Sequence, residues 1–451
     1  MSELGLNQSI AKMRGAGVDA AAIAVFTNFY QQLESGETGL ISEDSISGVY
    51  DLPKLSEVSP SDAAIAQGLA QTVMIKLNGG LGTSMGLAKA KTLLQVRDGL
   101  NFLDLIVRQV QYARQEYQVR LPLLFMNSFR TSEDTLSYLE RYPDLEVAGL
   151  GLDFIQNQEP KLLAQTLTPV SWPTAPELEW CPPGHGDVYP ALWGSGMLEK
   201  LLDAGFRYAN IANGDNLGAA PDPKLAGWFA ASGAPYAAEV CLRTVNDRKG
   251  GHLAYRNSDG QLILRDTAQT PDSDLSYFTD EERHPYFNCN TLWIDLEILN
   301  AEMQAHGGDL GLPLIRNEKT VDPADSQTPK VIQIESAMGA AIEVFSGAKA
   351  IVVERDRFLP VKTTNELLLL RSDLFTLGAD YRLSAQSHLP EVSLDPRFYR
   401  LVTDFEERFS VIPSLLGAER LEVQGDWSFD TPSSVVGSVV LKDSGQPCVY
   451  R

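Results

Sequence analysis

Strand–loop–helix alternation from residue 71 to about residue 378 predicts an α/β fold, a mixed and mainly parallel sheet flanked by helices. Three observations carry this. Short apolar runs such as 73–77 end in Gly-rich or Asn-Gly turns, and amphipathic stretches such as 102–117 follow them. Past residue 379 the texture changes to brief apolar pulses separated by Gly, Asp, Pro and Ser, which predicts a small β-helix-like tail of a few solenoid turns. A chain of 451 residues exceeds one core, and the texture divides it into a helical 1–60, a main 61–378 and a β-rich 379–451.

The elements follow in order. Ile10, Met13, Val18, Ala22, Ile23, Val25, Phe26 and Phe29 recur at three- and four-residue spacing up to Leu33, a helical stripe that packs as an appendage on the main body. A connector containing Pro, Ser and Gly, 48–61, leads on. Residues 73–77 read as a buried strand. The 102–117 stretch is a helix with Leu103, Ile106, Val107, Val110 and Ala113 on one face. Residues 121–126 form a strand, 189–202 a helix, and 208–212 a strand closing on Asn213-Gly214-Asp215. Strands at 236–242, 290–294 and 348–353 continue the series. Ligands of such sheets bind beyond the carboxyl ends of strands, which directs attention to the loops after 77 and 212.

Composition removes several function classes. A net charge of −22 argues against general nucleic-acid binding, whose affinity comes from phosphate neutralisation. Phosphorylated substrates must then meet a few well-placed lysines inside an acidic average field. No run approaches the ~18 apolar residues of a membrane helix, and the first residues lack a basic-then-apolar leader pattern. Cys181, Cys241, Cys289 and Cys448 are scattered without CxxC spacing, so a cytoplasmic location is expected. The five histidines are equally dispersed, and no zinc site is read.

Chemistry concentrates in loops. Gly79, Gly80, Gly82 and Gly86 crowd the turn after the first buried strand, where glycine lets backbone N–H groups approach a polyphosphate. No Gly-Lys-Ser/Thr follows, so a P-loop is disfavoured, and a plain tight turn stays open on spacing alone. Lys91, just beyond, is placed to neutralise phosphate charge. His185 sits at the tip of a Pro/Gly loop, 182–187; a single histidine also serves purely structural roles. Asp215 closes a strand, where it can hold a hard cation or simply form an Asx-turn. Lys362 follows the apolar 358–361, with Thr363 or Thr364 capping the next helix. Gln156 and Gln158 share a strand face, and either amide suits a pyrimidine imide edge. Asn288 and Asn290 share another. No Ser/His/Asp set or carboxylate pair emerges.

The continuation past the glycines makes the pattern specific. LNGGLGTSMG at 77–86, running to Lys91, resembles the signature of sugar nucleotide pyrophosphorylases in the form used by the UTP–glucose-1-phosphate uridylyltransferase family. Segments similar to that family's recur in its order at 126–135, 182–189, 213–219, 287–293 and 357–364. Two positions depart: Ala90 stands where the signature usually has proline, and Ala88 where eukaryotic members usually have lysine.

The resemblance implies a Rossmann-like nucleotidyltransferase (glycosyltransferase-A-like) mixed sheet. It implies transfer of a uridylyl group from UTP to glucose 1-phosphate, with Mg2+ as cofactor and Asp215 as its ligand. Lys362 and Lys91 would be catalytic. Leu77, Asn78, Gly79, Gly80, Gly82, Gln156, Gly184 and Asp215 would hold the nucleotide. His185, Asn213, Lys249, Gly251, Asn288 and Asn290 would hold the sugar phosphate. Small-molecule substrates are the implied partners, with neither nucleic acid nor membrane, and a homo-oligomer stays open. Three competing readings are another sugar 1-phosphate, a silent nucleotide-sugar-binding subunit, and a nicotinamide oxidoreductase using Asp98 or Asp104. The lysine-rich continuation favours polyphosphate over the last.

Overall fold

The computed structural model describes every residue except 1, 148, 245, 246, 248, 249 and 324. Among the described residues a ten-stranded sheet organises the chain. Its strands are β1 (Ile46–Gly48), β2 (Thr72–Asn78), β3 (Leu123–Asn127), β4 (Asp153–Ile155), β5 (Tyr208–Asn213), β6 (Tyr236–Leu242), β7 (His252–Arg256), β8 (Leu262–Arg265), β9 (Tyr286–Asp295) and β10 (Lys349–Val352). The spatial order is β1-β7-β9-β5-β2-β3-β4, with β6 joining β9 to β10 and β8 paired to β7.

Two halves meet at β5. On one side β5, β2, β3 and β4 are mutually parallel. On the other, β9 runs antiparallel to β5, and β6 and β7 run antiparallel to β9. The sheet is therefore mixed rather than mainly parallel. All four parallel strands end at one edge, at Asn78, Asn127, Ile155 and Asn213. The reversed β9 brings its own first residues to the same edge, because Thr291 faces Ala212. That convergence is what builds the site.

Buried apolar runs in β2, β3 and β5 serve two cores at once, since successive side chains point to opposite faces. Met74, Leu123 and Phe125 join one cluster, while Val73, Ile75, Leu124, Met126, Ala209 and Ile211 join the other. The first face is covered by α3 (Phe102–Tyr117), whose Asn101–Asp104 capping box starts it. The other takes α2 (Ala20–Ser35), which follows α1 (Ser2–Gly15). The expected single helix across 10–33 is thus two, broken at Gly17 with φ 72° and restarted by Asp19, which accepts a hydrogen bond from the Ala21 N–H. Phe26, Phe29 and Tyr30 of α2 are buried in the same core as Val73 and Ile75.

The 189–202 expectation also resolves into two helices, Val188–Gly194 and Met197–Asp203, parted at Gly196. The C-terminal region is β-rich. Strands β11 (Glu391–Leu394), β12 (Ser414–Val423) and β13 (Ser434–Leu441) pair in parallel in that order. Their buried residues Leu415, Leu421 and Val435 continue the first core rather than forming a separate one. Among the described residues no helix is long and apolar enough to cross a membrane.

The packing of α2 gives a stability expectation. Phe26→Ala should destabilise the protein by about 3–5 kcal/mol in a urea titration, as for other buried phenylalanines. An unchanged unfolding midpoint would show that α2 is not part of the core.

Candidate active site

A cleft of about 570 Å³ opens at the edge where the parallel strands end. A polar ladder fixes that edge. Asn78 donates to the Asn127 Oδ1 at 2.7 Å and to the Thr135 hydroxyl at 2.9 Å, and Asn127 donates to Asp153 at 2.9 Å. The Thr92 hydroxyl closes the set on the Asn78 Oδ1 at 2.7 Å. Each buried amide is satisfied, so the strand ends stand in fixed register.

One end of the cleft is built from Leu77, Asn78, Gly79, Gly80, Gln156 and Gly184. A Cβ at Gly79 would lie 2.4 Å from the Gln156 Oε1, so glycine there lets that amide keep its place. Gln156 extends β4 by donating its N–H to the Asn127 carbonyl at 2.7 Å, and its side-chain amide donates to the Gly184 carbonyl at 2.9 Å. Asp187 then pins Asn157, accepting from its backbone N–H at 2.7 Å and its side-chain amide at 2.9 Å. Gln156 lines the cleft and Gln158 does not.

His185 is half-buried on the next wall. Its Nδ1 accepts the Met338 backbone N–H at 3.0 Å, so the neutral ring carries its proton on Nε2 and presents a donor. Burial, and then the nearby Lys362 ammonium, push its pKa down to about 4.

In the middle, Asp215 follows the end of β5 and is nearly buried. Its Oδ2 accepts from Lys91 Nζ at 2.8 Å and from Lys362 Nζ at 3.0 Å. Its Oδ1 is buried and has no hydrogen-bond partner. Burial pushes this carboxyl up, but Lys362 and Lys91 together outweigh it and hold it below the usual aspartate range. Lys91 also donates to the Val361 carbonyl. Its side chain is 15% exposed, against 59% for Lys362. Two cations share one carboxylate, which leaves one positive charge uncompensated.

The far end holds Asn213, Gly251, Asn288 and Asn290. Asn290 adopts φ 51° at a bulge where the β6–β9 register shifts. The bulge replaces the simple alternation expected there, and it lets Asn290 donate to the Asn213 Oδ1 at 3.1 Å while Asn288 also faces the cleft.

Two predicted residues are not in this set. Gly82 does not line the cleft; a Cβ there would meet the Leu87 Cδ1 at 2.9 Å and the Lys91 Cγ at 3.2 Å, so its bareness leaves room for both side chains. Lys249 lies outside the described residues. Conversely, Asp266, Thr92, Phe287 and Phe358 line the cleft without having been singled out. Asp266 follows β8, its carboxylate lies against Gly251, and burial raises its pKa. An aspartate closing a strand was the same signal that marked Asp215.

A family profile described as UTP–glucose-1-phosphate uridylyltransferase matches residues 23–435. The chain belongs to that family. The potato (Solanum tuberosum) UTP–glucose-1-phosphate uridylyltransferase is 39% identical over 407 residues, 88% of this chain and 82% of that protein. The Saccharomyces cerevisiae enzyme is 37% identical, covering 83% of this chain and 74% of its own. Among solved structures, a mutant Leishmania major UDP-glucose pyrophosphorylase in complex with UDP-glucose superposes with a TM-score of 0.92 at 43% identity, covering 99% and 97% of the two chains. A Trypanosoma brucei structure described as UDP-glucose phosphorylase gives 0.92 at 41% identity, with 99% and 97% covered. As a member of this uridylyltransferase family the chain is a nucleotidyltransferase, and its mixed sheet is the fold of those structures.

The His185 geometry makes a spectroscopic prediction. Nitrogen NMR of labelled imidazoles should find His185 neutral and protonated at Nε2 down to about pH 5, and Lys362→Ala should move its titration upward by removing a cation. An imidazolium signal for His185 at neutral pH would contradict the assignment.

Proposed function

We propose that this chain joins UTP and glucose 1-phosphate into UDP-glucose with release of pyrophosphate, and that it catalyses the reverse reaction. The Lys91–Asp215–Lys362 cluster carries the reading. It lies between a glycine turn suited to a nucleotide and an asparagine-lined end suited to sugar hydroxyls.

In this reading a phosphate oxygen of the sugar attacks the α-phosphorus of UTP in line, and pyrophosphate departs. The attacking group is already an anion, so the site needs no general base; positioning and charge stabilisation suffice. Gly79 and Gly80 bring backbone N–H groups to the nucleotide. Gln156 exchanges its bond to the Gly184 carbonyl for the uracil edge. The His185 Nε2–H donates to the sugar phosphate. Asn213, Asn288, Asn290, Gly251 and Asp266 receive the sugar hydroxyls, and Lys249 is assigned to the sugar phosphate on the motif alone. Lys362 and Lys91 neutralise charge that builds on the reacting phosphates.

Magnesium suits the residues present. Asp215 Oδ1 is a buried hard donor with no partner, and one carboxylate plus substrate phosphates is a common magnesium arrangement. Among the described residues no group of three or more His, Cys, Asp or Glu side chains could hold a metal without the substrate. When bound, the ion would neutralise phosphate charge beside Asp215. We further assign catalysis to 61–378, with the helical 1–60 and a short β-helical 379–451 as flanking units, in a cytoplasmic protein able to self-associate.

Lys362→Ala should lower kcat about 10²–10³-fold, comparable to removing one transition-state donor, with an unchanged melting temperature. Pyrophosphate release from UTP, assayed with a panel of sugar 1-phosphates, measures this and ranks the sugars together. Near-normal turnover in the variant would remove Lys362 from the chemistry, and a preference for another sugar would change the product.

A further inference from the structure

Lys362 is more than half exposed, so packing does not fix its side chain; what the fold supplies is the position of its backbone. That backbone ends a segment, 357–362, which crosses the loop carrying Asp215. The crossing is close. Gly218 has no room for a Cβ, which would lie 2.4 Å from the Asp356 carbonyl oxygen. Asn216, buried and directly after Asp215, spans the two chains with one side chain. Its Oδ1 accepts the Leu359 N–H at 2.8 Å and the Gly218 N–H at 3.1 Å, and its Nδ2 donates to the Arg357 carbonyl at 3.2 Å. A backbone bridge between Asn216 and Pro360 completes the junction.

We propose that Asn216 is a positioning residue for uridylyl transfer, one whose amide sets where Lys362 stands relative to Asp215. The proposal rests on the reading of Lys362 given above. Leu359 and Val361 bury their side chains beneath the segment, but apolar contacts are non-directional and tolerate sliding along the strand. Hydrogen bonds lose strength steeply with misalignment, so they set register. A primary amide offers, on separate atoms, the acceptor for two N–H groups and the donor for a carbonyl that this crossing uses. The far side of the loop is held separately, by Lys76 donating to the Ala219 carbonyl at 2.6 Å and Arg357 donating to the Ala220 carbonyl at 2.7 Å. Losing the Asn216 amide therefore shifts the crossing without releasing the loop.

A double-mutant cycle tests this, with kcat, both KM values and melting temperature measured for Asn216→Ala, Lys362→Ala and the pair. Asn216→Ala should lower kcat about tenfold or more, because small misplacements of a reacting group are costly. Both KM values should stay within about threefold, and in the Lys362→Ala background the same change should alter kcat by less than about twofold. An unaltered kcat in Asn216→Ala, or an equal loss in both backgrounds, would overturn the proposal. If Asn216→Ala melts too early to assay, Asn216→Gln keeps the uncharged amide and displaces it by one methylene. It should give a kcat loss that again vanishes in the Lys362→Ala background, and a loss that persists there overturns the proposal. Normal turnover in Lys362→Ala alone would mark the failure of the Lys362 reading instead.

Discussion

One carboxylate oxygen, Asp215 Oδ2, holds the ammonium groups of Lys91 and Lys362 together, and the working edge of the molecule is arranged around that contact. Two like charges about 4 Å apart repel by about 4 kcal/mol in a protein-surface dielectric, and the anion between the two lysines offsets such a repulsion. Burial opposes ionising Asp215, yet the two lysines outweigh it and keep the carboxylate charged. The surplus positive charge then marks a place where a chain of net charge −22 invites polyanions. Cations already held beside Asp215 need little reorganisation when phosphate charge builds up, which is where electrostatic catalysis gains its magnitude.

The sheet makes that contact possible by letting distant segments end together. Lys91 comes from the turn after β2, Asp215 from the end of β5, and Lys362 from the segment after β10. The polar ladder from Asn78 through Asn127 to Asp153 fixes one flank. The reversal at β9 supplies the other, because an antiparallel neighbour of β5 must begin where β5 ends. A purely parallel sheet would place the start of β9 at the opposite edge, and Asn288 and Asn290 with it. The mixed topology is thus a requirement of the far end of the cleft.

Much of this was legible in the chain. The 102–117 helix and the 236–242 strand were read to the residue, because a strong apolar stripe and a run bounded by turn residues each leave one solution. Gln156 could not be told from Gln158 by alternation, since the choice depends on Asp187 pinning Asn157 from 30 positions away. The bulge at Asn290 was equally invisible: its positive φ belongs to a tertiary register shift, and asparagine tolerates it without announcing it. Gly82 has local reasons for its glycine, a φ of 70° and the side chains of Leu87 and Lys91 close by, which spacing alone does not separate from the approach of a ligand. Asp266 carried the same strand-closing signal as Asp215 but lay outside the segments that resemble the family, and so was passed over. Strand direction, too, is set by pairing partners rather than by local pattern, so the antiparallel half was read as more of the same.

Exchange of labelled pyrophosphate into UTP examines the account at its centre, a single in-line displacement on a preorganised cationic site. With Mg2+ and UDP-glucose present, the protein should place label in UTP. With UTP and labelled pyrophosphate alone, no label should enter UTP, because a direct displacement places no uridylyl group on the enzyme. Label entering UTP without UDP-glucose would contradict direct displacement, and no label under either condition would contradict the transferase reading itself.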